Sequence, residues 1–336
     1  MICLNDVQQA QRRIAAYIHK TPVVTSKRLN DWLGHSVYFK AECLQKVGAF
    51  KARGACNTLA WLIETGTKPK HVVSNSSGNH AQAVAWSARQ FNIPATIYMP
   101  RNVSRVKAKA TAAYGAEVVF CESRAEADQR ASEAAVQTGT FWIPPFNHEQ
   151  VIAGQGTAAY EALEHLHREN KKVNAVFAPC GGGGILSGSL ISTRGLSRST
   201  SVIGAEPLKA NDAAQSLRRG EIVRLPEQPV TLADGAMPLS VGDITFDHLK
   251  QLDDFFEIGE ESIAYWTQWI SHLLKLHVEP TSAMSMEAVR QWLRPKSTRQ
   301  TVLVILTGGN IDHQMMSRIW QEDYLSEVPT CQTDPY

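Results

Sequence analysis

The chain lacks any apolar run long enough to cross a bilayer as a helix, any closely spaced cysteine pair, and any marked excess of one charge. Its 34 basic and 32 acidic residues leave a net charge of +2. No overall field therefore draws it to nucleic acid or to an anionic membrane, and any anion it binds must be held by a local site. The absence of an apolar stretch of about 20 residues argues against a membrane span. The opening Met1-Ile2-Cys3-Leu4-Asn5-Asp6 lacks the basic-then-apolar order of a signal peptide. Six cysteines (Cys3, Cys43, Cys56, Cys121, Cys180 and Cys331) are scattered without a CxxC spacing. That leaves a disulfide scaffold or a zinc site without support and predicts a reducing, cytoplasmic setting. Repeats, low-complexity tracts and long linkers are missing too. What remains is 336 residues, 43% hydrophobic and 20% charged, enough for one large or two moderate cores.

Short apolar runs alternate with helical patterns. Strands are expected at Val37–Ala41, His71–Asn75, Ala95–Met99, Glu117–Cys121, Val173–Ala178, Ser201–Ala205 and Thr301–Leu306. Helices are expected at Asp6–His19, Phe50–Glu64, Asn79–Phe91, Val103–Tyr114, Ala125–Thr138, Gln155–Arg168, Ile185–Thr193 and Ile263–Leu276. The alternation predicts an α/β protein with parallel sheets. The Pro-rich segment Pro226–Pro238 reads as an ordered loop, and the tail after Val328 as loose.

Four segments carry chemistry. Gly181-Gly182-Gly183-Gly184 follows a strand and precedes a helix, so bare backbone N–H groups and a helix start converge as an anion cradle. A dinucleotide GxGxxG would need glycine where Leu186 stands, and a P-loop would need lysine where Ser189 stands. A monophosphate fits better. Lys51 follows Phe50 among Ala49, Ala52 and Gly54; an apolar setting lowers an amine's pKa, and only the neutral amine attacks an aldehyde. The loop Ser76-Ser77-Gly78-Asn79-His80 enters a helix N-terminus. Capping explains one of its hydroxyls, whereas the whole donor cluster suits a substrate α-carboxylate. Thr307 closes an apolar strand before Gly308-Gly309-Asn310. Three of the four segments follow strand carboxyl ends, where open α/β sheets bind ligands. Together they meet the needs of a pyridoxal-phosphate enzyme acting on a small amino acid.

In that order, the segments resemble the serine/threonine dehydratase and serine racemase family, pyridoxal-phosphate enzymes of the tryptophan-synthase-β fold type. The resemblance runs from about Asp6 to about Trp320. It extends to Val151–Thr157, Gly204–Pro207, Leu232–Gly235 and Val278–Thr281. It implies two open, twisted, mostly parallel sheets flanked by helices, with the cofactor in the cleft between two domains. Residues 1–70 plus 149–336 would form the large domain, and 71–148 the small one. It further implies that Lys51 is the Schiff-base lysine, that Phe50 packs by the ring, that Asn79 bonds the ring hydroxyl and that Gly181, Gly182, Gly183 and Gly184 hold the phosphate. Thr307 would meet the pyridine nitrogen. Ser76, Ser77, Asn79 and His80 would hold the substrate carboxylate, with Ser77 as the acid/base opposite the lysine. Glu206, the Ala210 carbonyl and Asp212 resemble a racemase-type site for Mg²⁺, Mn²⁺ or Ca²⁺.

Activity follows from the resemblance as deamination of L-threonine or L-serine to 2-oxobutyrate or pyruvate and ammonia. Serine racemisation and dehydration of L-threo-3-hydroxyaspartate are the alternatives; for the latter, Arg124 and Arg130 lie in the region where a distal carboxylate is read. A catalytically silent cofactor-binding homologue is a further reading, and a homodimer is implied. Ala49 departs from the family pattern by standing where Ser usually precedes Phe-Lys.

Overall fold

The computed structural model describes residues 2–101, 103 and 105–331, with no side-chain description of Arg105 and Val106. Among these residues ten strands form two sheets: β1 Val23–Thr25, β2 Ser36–Ala41, β3 His71–Ser74, β4 Ala95–Pro100, β5 Glu117–Cys121, β6 Thr140–Trp142, β7 Ala175–Pro179, β8 Ser201–Pro207, β9 Asp254–Ile258 and β10 Thr301–Leu306. One sheet has the order β1-β2-β10-β7-β8-β9 and the other β5-β4-β3-β6. Only β1 runs antiparallel to its neighbour, β2.

The six-stranded sheet has the continuous apolar strands of a sheet covered on both faces. Along β10 the side chains alternate between two cores. Val302, Val304 and Leu306 join one, with Phe39, Phe177 and Trp266. Leu303 and Ile305 join the other, with Val176, Leu186 and Phe246. Strand pairing holds this in register: Val304 stands opposite Phe39 of β2 and Phe177 of β7. The four-stranded sheet buries Val72 and Ile97 in a third core, which it shares with Ala55, Leu59 and Leu62 of the helix Lys51–Glu64.

Helices Lys51–Glu64, Glu149–Arg168 and Gly184–Leu196 pack at backbone distance. A Cβ on Gly154 would stand 2.6 Å from the Arg53 carbonyl oxygen, and one on Gly156 would stand 2.8 Å from that of Gly188.

The expected elements differ from the observed ones mainly at ends. The first helix covers Leu4–Ile14, and the chain then turns so that Tyr17 and Ile18 pack onto the third core. The helix expected from Gln155 begins at Glu149, capped by the His148 ring, which accepts from the Gln150 N–H. The expected helix Val103–Tyr114 is observed as Arg105–Ala113, and its Ser104 lies outside the described residues. Strands β1, β6 and β9 are additional. Pro226–Pro238 is a loop, closed by the Leu225 N–H on the Leu239 carbonyl at 2.8 Å. The tail after Val328 passes outside the described residues beyond Cys331. No described helix is long and apolar enough to cross a membrane.

Candidate active site

Three strand ends deliver the candidate residues. β3 ends at Ser74, ahead of Ser76–Gly78 and the helix Asn79–Gln90. β7 ends at Pro179, ahead of the glycine run and the helix Gly184–Leu196. β10 ends at Leu306, ahead of Thr307. Lys51 is brought to them by backbone pairing. Ala49 bridges Gly308, the Phe50 N–H donates to the Thr307 carbonyl at 2.9 Å, and the Gly309 N–H donates to that of Gly48 at 3.0 Å.

Lys51 is partly buried, its Nζ 5.1 Å from the Phe50 ring centroid. The amine donates to the Pro145 carbonyl at 2.6 Å. Burial lowers its pKa from 10.5 to about 8, against the opposing pull of the Glu279 carboxylate. The same Pro145 carbonyl accepts from Gln155 Nε2 at 3.3 Å. Gln155 Oε1 is buried without a partner and lies 2.4 Å from where a Cβ on Gly184 would stand. Lysine and glycine run are thus joined through two intervening residues.

The run itself leaves room for backbone only. A Cβ on Gly182 would fall 2.1 Å from the Phe146 ring, and one on Gly181 within 3.2 Å of Ala236 and the Gly235 carbonyl. Gly183 caps the helix at φ +89°, a conformation that favours glycine. The Gly182 carbonyl accepts the Thr245 hydroxyl at 2.8 Å. Backbone N–H groups at a helix start suit a phosphate.

Asn79 and Thr307 meet at Glu279, the carboxylate whose charge Lys51 feels. Asn79 Nδ2 donates to Glu279 at 2.9 Å, Asn310 Nδ2 donates to Asn79 Oδ1 at 2.8 Å, and Thr307 Oγ1 lies 3.5 Å from Glu279. Asn79, Thr307 and Lys51 are therefore brought together around one carboxylate. Ser76 and Ser77 are partly buried in the loop ahead of Asn79, and Ser76 Oγ accepts the Gly78 N–H at 3.3 Å. No hydrogen bond among the described residues joins Ser77 to Lys51. His80 is buried with Nε2 2.8 Å from the Ile143 carbonyl. Burial and the nearby Lys51 charge lower its pKa to about 3. The ring is neutral and donates to that carbonyl, so it offers no positive charge to a carboxylate.

Glu206, Ala210 and Asp212 are all buried at the end of β8. Glu206 accepts the Ala213 and Ala214 N–H groups at 3.2 and 2.7 Å, and Asp212 Oδ2 has no partner. Burial pushes Glu206 up to about 9 and Asp212 to about 7. No group of three or more His, Cys, Asp or Glu placed to hold a metal ion occurs among the described residues. Arg124 and Arg130 lie largely exposed on one helix, paired with Asp128 and Glu126.

Four participants had no role in the sequence reading: Glu279, Asn310, Gln155 and the Pro145 carbonyl. Glu279 and Gln155 stand inside segments that marked only the resemblance, and Asn310 inside the cap after β10. Pro145 carried no signal at all.

A partly buried amine of lowered pKa, a side-chain-free anion cradle, and a hydroxyl and an amide that meet at one carboxylate suit a phosphorylated pyridine aldehyde. The chain belongs to the pyridoxal-phosphate-dependent enzyme family, whose model matches residues 14–308. Within it, the chain is 41% identical to the L-threo-3-hydroxyaspartate ammonia-lyase of Saccharomyces cerevisiae, over 91% of this chain and 93% of that protein. It is 38% identical to the serine racemase of Dictyostelium discoideum, over 95% and 98% of the two chains. The solved threonine deaminase of T.th. superposes with a TM-score of 0.87 at 40% identity, covering 92% of this chain and 99% of its own.

Proposed function

We propose that this enzyme is an ammonia-lyase of small β-hydroxy amino acids, converting L-threonine to 2-oxobutyrate and L-serine to pyruvate. The setting of the Lys51 amine supports this assignment: it donates to the Pro145 carbonyl that Gln155 shares, it feels the Glu279 carboxylate that Asn79 meets, and its pKa is about 8. Bound pyridoxal phosphate supplies the aldehyde that captures the substrate amine and the ring that takes up charge from the α-carbon. Gly181–Gly184 would hold its phosphate, Phe50 would lie by its ring, and Asn79 and Thr307 would meet the ring's polar atoms. Ser76, Ser77 and the N–H groups at Asn79 and His80 would fix the substrate carboxylate. Lys51, neutral in a useful fraction near pH 8, would take the α-proton. Loss of the β-hydroxyl as water and then hydrolysis yield the oxo acid and ammonia.

The division into residues 1–70 plus 149–336 and 71–148 is supported by the two sheets, since β3–β6 all fall within 71–148. The cytoplasm and a homodimer are our expectations for its setting. The test is purified protein loaded with pyridoxal phosphate and given L-serine, L-threonine and L-threo-3-hydroxyaspartate. Ammonia with the matching oxo acid is the expected result; no ammonia from any of the three overturns the assignment. Strongest turnover of the hydroxyaspartate would place the enzyme with its yeast relative.

Racemisation is the second reading, favoured by Ser77. Ser77→Ala should suppress D-serine formation at least about tenfold more than ammonia release from L-serine, as chiral chromatography would show. Equal losses would remove Ser77 as an acid acting from the opposite face.

Two buried acids and an orphaned oxygen also suit a cation. Glu206, Asp212 and the Ala210 carbonyl would hold Mg²⁺, Mn²⁺ or Ca²⁺ as oxygen ligands. Saturating Mg²⁺ should raise the melting temperature by several degrees, since about 2.7 kcal/mol accrues at one hundred times Kd. Asp212→Ala should abolish the response; an unchanged response places the ion elsewhere.

A further inference from the structure

We propose that Glu279 is a positioning residue that sets the direction of the Asn79 amide and the Thr307 hydroxyl, and so tunes the ring of the bound cofactor from behind. The proposal rests on the assignment of Asn79 and Thr307 to that ring.

Glu279 is 2% exposed and its N–H donates to the Gly308 carbonyl at 3.0 Å, so the carboxylate is fixed at the end of β10. Both of its oxygens lie near Asn79 Nδ2, at 2.9 and 3.2 Å. Asn79 Oδ1 is taken by Asn310 Nδ2. Turning the Asn79 amide over would set oxygen against carboxylate and N–H against N–H. Its orientation is therefore decided, and one N–H remains for a ligand.

Thr307 has a single proton to give. Its neighbour Ser282, 3.0 Å away, spends its own proton on the Gly308 carbonyl at 2.8 Å. Ser282 therefore supplies none to Thr307 and can only accept from it. The Thr307 proton thus has two resident acceptors, Ser282 Oγ at 3.0 Å and an ionised Glu279 at 3.5 Å. A protonated Glu279 donates to Thr307 instead and so removes one of the two competitors that a ring nitrogen meets.

Lys51, Lys107, Asp234 and Cys43 are the titratable groups whose charge is coupled to this carboxyl. Burial, then Asp234, push it up to about 7, against the Asn79 bond and Lys107. Both protonation states are thereby accessible near neutral pH.

The experiment follows the absorbance of the bound cofactor in the substrate-free holoenzyme between about pH 6 and 9. Glu279→Gln can accept from Asn79 and donate to Thr307, which fixes the arrangement of the protonated acid. Its spectrum should lose the pH-dependent change that the parent shows near 7, with cofactor affinity kept. Glu279→Leu frees the Asn79 amide and should weaken cofactor binding about tenfold, the size of a buried hydrogen bond left unmade. A Gln variant that titrates as the parent does, or a parent spectrum flat across the range, overturns the proposal, even if the Leu variant fails to fold. No substrate enters the measurement. A chain that binds the cofactor without turnover therefore refutes the lyase assignment alone, and one that binds none refutes both.

Discussion

Lys51→Ala is expected to abolish ammonia release, by roughly 10⁴-fold or more, together with the visible absorbance of the bound cofactor. The magnitude follows from the double duty proposed for this side chain, as covalent anchor and base. An amine with its ordinary pKa of 10.5 is neutral in only about one molecule in a thousand at pH 7.5. The pKa of about 8 set by burial raises that to about a quarter. Lys51→Arg keeps the positive charge yet cannot shed it, so it should fail as completely as alanine. Turnover retained by either variant would sink the mechanism. The fold gives an internal control. A lowered amine pKa means that the unfolded chain binds a proton which the folded chain gives up between about 8 and 10.5, so stability rises with pH through that window. Below 8 the buried charge is a net cost. The cofactor-free Lys51→Ala protein should therefore melt no lower than the parent at pH 7, which separates loss of chemistry from loss of structure.

Much of this site is legible in the chain because its parts follow strands. The observed β5 and β10 coincide with Glu117–Cys121 and Thr301–Leu306, since apolar and β-branched residues fill β10 throughout and β5 from Val118 onward. The segments after β3, β7 and β10 stand out for the same reason. The start of the helix Glu149–Arg168 is not legible from residue preference. Gly154 and Gly156 look like helix breakers, yet they are there to let two neighbouring helices approach at backbone distance. Three-residue strands such as β1 and β6 carry too little pattern to be seen alone. Glu279 is hidden for another reason. Directly before Pro280 it reads as a charge at a short helix start, and its partner Asn79 lies 200 residues away. Local pattern marks where a ligand can sit, and long-range pairing decides how the groups there are aimed.

Arg53→Met should be the most destabilising single change near the site that leaves Lys51 in place. The guanidinium is 0% exposed, two residues along the helix that begins with Lys51. It donates to Glu42 at 2.6 and 2.8 Å and to Glu161 at 2.9 Å through two nitrogens. Lys40 Nζ donates to Glu161 at 2.6 Å, so two cations and two carboxylates balance within the core. Burial alone would raise Glu161; Arg53 and then Lys40 outweigh it and hold the carboxyl at about 2. That contribution is present above the ordinary carboxylate range and is lost as pH falls through about 2. Removing Arg53 leaves two buried carboxylates sharing one lysine. The cost of breaking such a buried pair is about 3–5 kcal/mol, a large share of the roughly 5–15 kcal/mol that holds a typical fold together. Chemical denaturation at pH 7 should show the loss, and cofactor affinity should fall with it as the first turn of the Lys51 helix loosens. The compensating change is Glu42→Gln. Arg53→Met with Glu42→Gln removes one charge of each sign and keeps Lys40 opposite Glu161, so the double variant should recover most of the stability. If the double variant is no more stable than Arg53→Met alone, packing of the arginine stem, and not charge balance, holds this end of the helix.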